Sequence, residues 1–313
     1  MKLVIQIPCL NEAKTLPLVL SSIPKKIHGI DEVIILIIDD GSTDETVQVA
    51  KDHGVKHFVR HRTNQGLART FHDGVNAALE LGADIVVNTD GDNQYPQEKI
   101  ADLVQPILKQ EADIVIADRQ THKIEHFSPI KKRLQRLGTS VVNKVAGTQI
   151  PDAVSGFRAY SRSSLMALNT ITRFSYTTET IIQAGNKKLA ITSVPIEVNP
   201  KLRESRLFKS NWEHISKTTI SIIRAFVMYR PYVLFFNVGL LLTIGGLVPF
   251  GRYLYFTVQH EHGNHIQSLL VGVVLMSGAF LSFTLGIVAD LIRINRILQE
   301  DSLEHLKHLR FDR

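Results

Sequence analysis

The chain is almost without cysteine: Cys9 is the only one in 313 residues, which excludes an internal disulfide and is compatible with a reducing compartment. Set in an apolar run, that thiol reads as packing rather than as a nucleophile. There is no Cys/His spacing of the zinc-binding kind and no aromatic RNA-reading motif beside the basic residues, so a formal charge of +6 does not point to nucleic acid. The stretch Met1 to Pro8 holds too few apolar residues for a signal peptide, and the first domain is expected to stay where it is made. Internal repeats and low-complexity tracts are also missing.

What is present is a change of texture along the chain. Up to about Pro231 short apolar runs alternate with amphipathic stretches: Leu3 to Ile7, Val33 to Ile38, Val55 to Val59, Ile85 to Val87 and Ile114 to Ala117 are separated by helix-like segments near Thr15 to Ile23, Thr43 to His53, Gly66 to Leu81 and Gln97 to Lys109. This alternation predicts an α/β fold with a mostly parallel sheet covered by helices. Ligands of such sheets bind beyond the carboxyl ends of the strands, so the polar residues just after each run carry the functional expectation. Asp152 to Tyr160 reads as a turn entering a strand, and Leu189 to Val198 as a further strand.

Two long apolar blocks follow, Tyr232 to about Tyr255 and Leu269 to about Leu291, each long enough to cross a bilayer. Before them, Glu213 to Tyr229 places Ile215, Ile222, Ile223, Phe226 and Val227 on one helical side, the pattern of a helix lying on a membrane surface. Arg224 and Arg230 precede the first block, Arg293 and Arg296 follow the second, and the connector Thr257 to Gln267 has neither Lys nor Arg. By the positive-inside rule both flanks, and with them both termini, are expected in the cytoplasm. The expected organisation is a catalytic domain over 1–208, an amphipathic juxtamembrane helix over 209–230, a two-helix transmembrane anchor over 231–292 and a cytoplasmic tail over 293–313. Two spans leave little room for a transport site at the midplane, so they read as an anchor.

Asp90-Gly91-Asp92 follows the apolar run Ile85 to Thr89, and two hard oxygen donors at a strand end suit Mg²⁺ or Mn²⁺ bridging to a diphosphate, with the Gln94 carbonyl as a further donor. The alternative for such a sequence is a solvated turn. Asp39-Asp40-Gly41-Ser42-Thr43-Asp44 is open in the same way: Ser42 or Thr43 suits a helix cap, while an aspartate at the strand end can accept from a base N–H or a ribose hydroxyl.

The ordered series Ile7-Pro8-Cys9-Leu10-Asn11-Glu12, Asp39 to Asp44, Asn64-Gln65-Gly66 and Asp90-Gly91-Asp92-Asn93-Gln94-Tyr95-Pro96 resembles the family 2 inverting glycosyltransferases of the GT-A, Rossmann-like fold group. Ser155-Gly156-Phe157-Arg158 and Glu204-Ser205-Arg206-Leu207 resemble its polyprenyl-phosphate branch, which includes dolichyl-phosphate mannose synthases and undecaprenyl-phosphate glucosyltransferases. The resemblance implies a nucleotide-sugar site at Pro8, Asn11, Glu12, Asp39, Asp40 and Asp90, a metal held by Asp90, Asp92 and Gln94, and Asp92, Arg119 and Arg206 as catalytic groups. It implies acceptor contacts at Arg133, Arg136, Ser155, Arg158 and Ser205. For Arg158 a structural ion pair is the competing role, and Glu179 is a weaker candidate because a phosphate acceptor is already an anion and needs no strong base. The chain departs from the branch in having Arg206 where Lys is common and Tyr95-Pro96 where Pro-Pro is common.

The implied activity is transfer of a sugar from a UDP- or GDP-sugar to a polyprenyl phosphate at the cytoplasmic membrane face, with inversion and a divalent metal. Self-association is compatible with this reading, and nucleic acid is not a partner. The rivals are a family 2 enzyme adding one sugar to a glycolipid or glycan hydroxyl, and a non-catalytic membrane assembly protein. A processive synthase is disfavoured because Trp212 stands outside any Gln-x-x-Arg-Trp motif, and a nucleotidyltransferase because Pro8 to Glu12 has no glycine.

Overall fold

The computed structural model describes residues 1–121, 129–170, 176–200, 227–259 and 266–312. They fall into two units, one made of Met1–Ile222 with Glu300–Arg313 and the other of Ile223–Gln299. The first unit contains strands β1 (Lys2–Cys9), β2 (Glu32–Asp39), β3 (His57–Arg60), β4 (Ile85–Asn88), β5 (Ile114–Asp118), β6 (Arg158–Ser161) and β7 (Ile191–Pro195). Its helices are α1 (Leu16–Ser22), α2 (Thr46–Asp52), α3 (Leu67–Glu80), α4 (Ile100–Leu108), α5 (Pro129–Ala146), α6 (Arg162–Ala167) and α7 (Tyr176–Asn186).

The strands form one seven-stranded sheet in the order β3-β2-β1-β4-β6-β5-β7. All pairings are parallel except those of β6 with β4 and β5. The central strands are apolar on both faces, as helices on both sides require: Leu3, Ile5, Ile7, Ile37, Ile85, Val87 and Val115 are buried in one core, and Val4, Leu36, Ile38, Val86, Ile114 and Ile116 are buried on the other face. β1 tolerates Pro8 because its pairing with β4 stops at Gln6, so the missing N–H falls where that ladder has ended. β6, running the other way, starts beside the end of β4 with Arg158 opposite Asn88. This antiparallel insertion carries Ser155-Gly156-Phe157 to the same sheet edge as the ends of the parallel strands.

That edge is closed tightly by two glycines. Gly41, with φ +80°, lies where a Cβ would come 2.9 Å from the Thr63 backbone, so only glycine lets the loops after β2 and β3 abut. A Cβ on Gly91 would stand 3.1 Å from Cys9 Sγ and 3.2 Å from Glu12 Cγ, which fixes how closely the loop after β4 approaches the end of β1.

The segment Glu300–Arg313 belongs to the first unit, where the sequence boundaries place a separate tail. Lys187 at the end of α7 pairs with Glu304 at 2.6 Å and Asp301 at 3.2 Å, Arg162 reaches Asp312 at 3.3 Å, and Arg310 pairs with Glu80. Lys307 Nζ donates to the carbonyls of Leu165, at 3.2 Å, and Leu168, where α6 ends.

The second unit is formed by α8 (Pro231–Val258) and by α9 (Ile266–Phe311) up to Gln299. Both helices are long and apolar enough to cross a membrane. Within the unit Ser282 Oγ donates to the Phe235 carbonyl at 2.7 Å and Phe236 meets Phe283 with ring centroids 5.6 Å apart. Leu241, Val248, Val274 and Phe280 are each at least 70% exposed, an arrangement that is stable where the surroundings are hydrocarbon. Of the expected juxtamembrane helix, residues 209–226 lie outside the described residues, as does most of the connector between the two apolar blocks.

Candidate active site

The loops after β1, β2 and β4 meet at the carboxyl edge. Asn11 takes the left-handed conformation with φ +56°, which an asparagine tolerates better than most residues. Its backbone N–H donates to Ser42 Oγ at 2.9 Å, and its Oδ1 accepts from the Thr43 N–H at 2.7 Å and the Asp44 N–H at 3.3 Å. Glu12 is 7% exposed. Its N–H donates to Thr46 Oγ1 at 2.8 Å, and Thr15 Oγ1 lies 2.8 Å both from its Oε2 and from the Gly91 carbonyl. Thr15 thereby joins the loops after β1 and β4, a link for which the sequence carried no signal.

The aspartates after β2 are buried and wired into the scaffold. Asp39 accepts from the Ser42 N–H at 2.9 Å, and Asp40 from the Gln65 N–H at 2.8 Å and the Gly66 N–H at 3.0 Å. The second oxygen of Asp39 lies 3.5 Å from Arg60 Nε, and Asp40 Oδ1 lies 2.7 Å from His61 Nδ1, whose other nitrogen is 3.1 Å from Asp73. Asp40 thus holds the Asn64-Gln65-Gly66 turn that starts α3. Base or ribose contact at Asp39 and Asp40, implied by the resemblance, would be added to this structural duty.

In the loop after β4, Asp92 is bonded within its own turn: Gln94 donates to it from the backbone at 3.1 Å and from Nε2 at 2.6 Å. Asp90 lies against Gly156, where a Cβ would stand 3.6 Å from both its oxygens. Tyr95 is 5% exposed, stacks on Phe157 at 5.1 Å and accepts the Gly156 N–H at 3.1 Å. Burial, with the Asp90 charge adding to it, pushes its phenol up to about 12. The residue that departs from the branch's Pro-Pro is therefore a protonated strut between the loop and β6. Behind it, Asn88 donates to the Gly156 carbonyl at 2.9 Å and to the Tyr176 hydroxyl at 2.8 Å while accepting from Gln6 at 2.9 Å, a buried network that ties β1, β4 and α7 together.

The cationic candidates divide. Arg119, after β5, forms a two-pronged pair with Asp152: Nε to Oδ2 is 2.6 Å and a terminal nitrogen to Oδ1 is 2.9 Å. Burial alone would lower the arginine and raise the aspartate, but their pairing outweighs it and shifts both the other way. Arg119 is thus a fixed cation, oriented from behind by Asp152. Arg158 is fully buried and donates to the carbonyls of Ser155 at 2.7 Å, Thr177 at 2.8 Å and Ala153 at 3.0 Å, and to Thr180 Oγ1 at 3.0 Å. Arg158 pins the Ala153 to Ser155 turn to α7 through carbonyl and hydroxyl acceptors, and no carboxylate pairs with it among the described residues. Ser155 Oγ is buried without a hydrogen-bond partner among the described residues. Arg133 and Arg136 are exposed on α5, and Glu179 is 4% exposed on α7 with Gln183 Nε2 at 3.5 Å. Ser205 and Arg206 lie outside the described residues.

Burial raises the Cys9 thiol, and Glu12, Asp39, Asp90 and Asp44 reinforce the shift, in keeping with its reading as packing. Glu12, Asp39, Asp44 and Asp90 thus gather around the end of β1, a concentration of carboxylates that suits a nearby cation. Among the described residues no three His, Cys, Asp or Glu side chains form a closed metal cage. Two aspartates and an amide fit a hard divalent ion whose other ligands are phosphate oxygens and water, and do not fit a structural metal.

The profile of glycosyl transferase family 2 matches residues 4–168. The UDP-N-acetylglucosamine--dolichyl-phosphate N-acetylglucosaminyltransferase of Methanococcus voltae is 31% identical over 212 residues, covering 61% of this chain and 83% of the relative. The glycosyltransferase AglJ of Haloferax volcanii is 28% identical over 302 residues, 91% of either chain, so the likeness reaches into the C-terminal helices. Among solved structures, the glucosyl-3-phosphoglycerate synthase of Mycobacterium tuberculosis, in complex with Mn²⁺, UDP and phosphoglyceric acid, superposes with a TM-score of 0.56 at 20% identity over 72% of this chain and 77% of that one, a likeness of fold.

Proposed function

The chain belongs to glycosyl transferase family 2, and from that membership we propose that it transfers a sugar from a nucleotide-sugar to a polyprenyl phosphate, with inversion, at the cytoplasmic face of a membrane. The observation that carries the reading is the convergence, on one edge of the sheet, of the Asp90-to-Gln94 loop, the Asn11-Glu12 turn and the Asp152-backed Arg119. The relatives named for dolichyl-phosphate transfer and the exposed apolar helices support the lipid acceptor over a soluble one.

In this reading a phosphate oxygen of the acceptor attacks the anomeric carbon as the bond from that carbon to the nucleoside diphosphate breaks. The attacking oxygen is already anionic, so no proton has to be removed, and Glu179 is left a structural place on α7. Asp90, Asp92 and Gln94 would hold Mg²⁺ or Mn²⁺, which supplies charge neutralisation at the departing diphosphate. Arg119 stabilises developing negative charge from a fixed position, because Asp152 holds its guanidinium and no reorganisation is needed. Pro8, Asn11, Glu12, Asp39 and Asp40 shape the nucleotide pocket. Arg133, Arg136, Ser155, Ser205 and Arg206 are assigned to the acceptor.

Glu300–Arg313 follows both apolar helices yet belongs to the same unit as Met1–Ile222, which supports placing both flanks of the hairpin on one side of the bilayer. The absence of Lys and Arg between the helices, against Arg230 before and Arg293 and Arg296 after them, supports the cytoplasm as that side. The test uses membranes carrying the full chain, added polyprenyl phosphate and a panel of labelled UDP- and GDP-sugars. Label that partitions into organic solvent and is released by mild acid is expected; label confined to water-soluble product would overturn the lipid acceptor.

A further inference from the structure

The segment after β7 is tied to the acidic loop by one residue that no motif marks. Asn199 donates its backbone N–H to the Gln94 carbonyl at 2.9 Å, and its side-chain amide lies 3.0 Å from the Asn93 carbonyl and 3.5 Å from the Tyr95 carbonyl. A single asparagine therefore engages three consecutive carbonyls on the back of the loop whose front bears Asp92. Its own position is fixed: Ile196 is buried in the core, Val198 packs against it, and the Ile196 N–H donates to the Asp118 carbonyl at 2.9 Å. Asn93 takes φ +60°, so the loop holds a left-handed residue at the point the Asn199 amide grips. Without that grip the peptide after Asn93 could turn and carry away the Gln94 N–H and amide that orient both Asp92 oxygens.

We propose that Asn199 is a positioning residue for divalent-metal binding, holding the Asp90-to-Gln94 loop in its ligating shape from the far side. The inference rests on the metal reading of that loop given above. Asn199 would touch neither metal nor sugar; it acts through the carbonyls of residues 93 to 95.

The experiment titrates Mn²⁺ into the purified full chain with UDP, and separately with GDP, and follows the electron paramagnetic resonance signal of free hexaaqua Mn²⁺. Asn199→Ala keeps the backbone bond to Gln94 and removes only the amide, so it is expected to fold with an unchanged circular dichroism spectrum and to weaken Mn²⁺ about tenfold, roughly 1.4 kcal/mol. Asn199→Ser, which can reach one carbonyl, is expected to fall between Ala and Asn. Sugar transfer by Asn199→Ala should recover at high Mn²⁺, with the maximal rate near that of the unsubstituted chain. Mn²⁺ affinity unchanged in Asn199→Ala while Asp92→Asn loses it would overturn the role of Asn199 alone. No Mn²⁺ uptake by the unsubstituted chain with either nucleotide would overturn the metal reading and this inference with it.

Discussion

The loops after β2 and β4 both bring aspartates separated by glycine and small polar residues to the same sheet edge, and they use them differently. Asp40 accepts from the Gln65 and Gly66 N–H groups, 25 and 26 positions on, and Asp44 from the Ala13 N–H as well as from its neighbour Thr46, while Asp39 accepts from the Ser42 N–H within its own turn. Among the described residues Asp92 accepts only from Gln94, two residues on. A carboxylate bonded to distant backbone cannot change partners without opening the scaffold, whereas one bonded inside its own turn can exchange an amide for a cation at small cost. Aspartates at strand ends are thus of two kinds, with Asp40 and Asp92 as the extremes, and the sequence distance of their partners separates them.

The largest effect that sharpens this contrast is expected from Asp92→Asn. Transfer to lipid should fall about a thousandfold, roughly 4 kcal/mol of barrier, while the thermal midpoint of the chain in detergent stays within about 2 °C. A destabilised Asp92→Asn protein would place both loops in the scaffold class. Asp40→Ala should do the reverse, lowering stability by about 3 kcal/mol, because two backbone N–H groups and His61 lose their acceptor at a buried site. Denaturant unfolding measures it; an unshifted midpoint with a raised KM for the donor would make Asp40 a ligand contact and break the contrast.

The smallest effect comes from the opposite edge, as a control on both. Burial holds Lys307 down to about 8, with Lys187 adding to the shift and Glu304 opposing it. Between that value and about 10.4 the unfolded chain binds more protons than the folded one, so stability rises with pH across this window. Lys307→Met should remove a rise of about 2–3 kcal/mol, read from thermal midpoints at pH 7 and pH 10, and leave transfer at pH 7 within about twofold. Parallel pH curves for the two proteins would show that Lys307 is not seated on α6.

Much of the first unit was legible because its signals are local. β1, β2, β4 and β5 fall on the apolar runs, α1 to α4 on the amphipathic stretches between them, and each acidic motif stands just beyond its strand. Partnership across the fold was not legible. Asp40 meets residues 21 to 26 positions away, Arg119 meets Asp152 33 positions away, and Lys187 meets Glu304 117 positions away. No periodicity couples residues at such distances; only the closed sheet does. Arg158 shows the consequence most clearly: its motif was readable, but that its guanidinium faces inward became visible only when the antiparallel β6 was seen between β4 and β5. Asn199 carried no signal at all, being one asparagine before a proline.

The discontinuous first unit also sets an order of events during synthesis. Glu300–Arg313 emerges from the ribosome after both apolar helices, so a nascent chain can form its sheet and every described candidate-site residue while Lys187, Arg162 and Glu80 still lack their partners. In the proposed topology those partners arrive once both apolar helices have entered the bilayer and the second end has returned to the side of the first. Membrane insertion would then be a step in completing the first unit, and a chain arrested or cleaved before Glu300 would carry its chemistry without these partners.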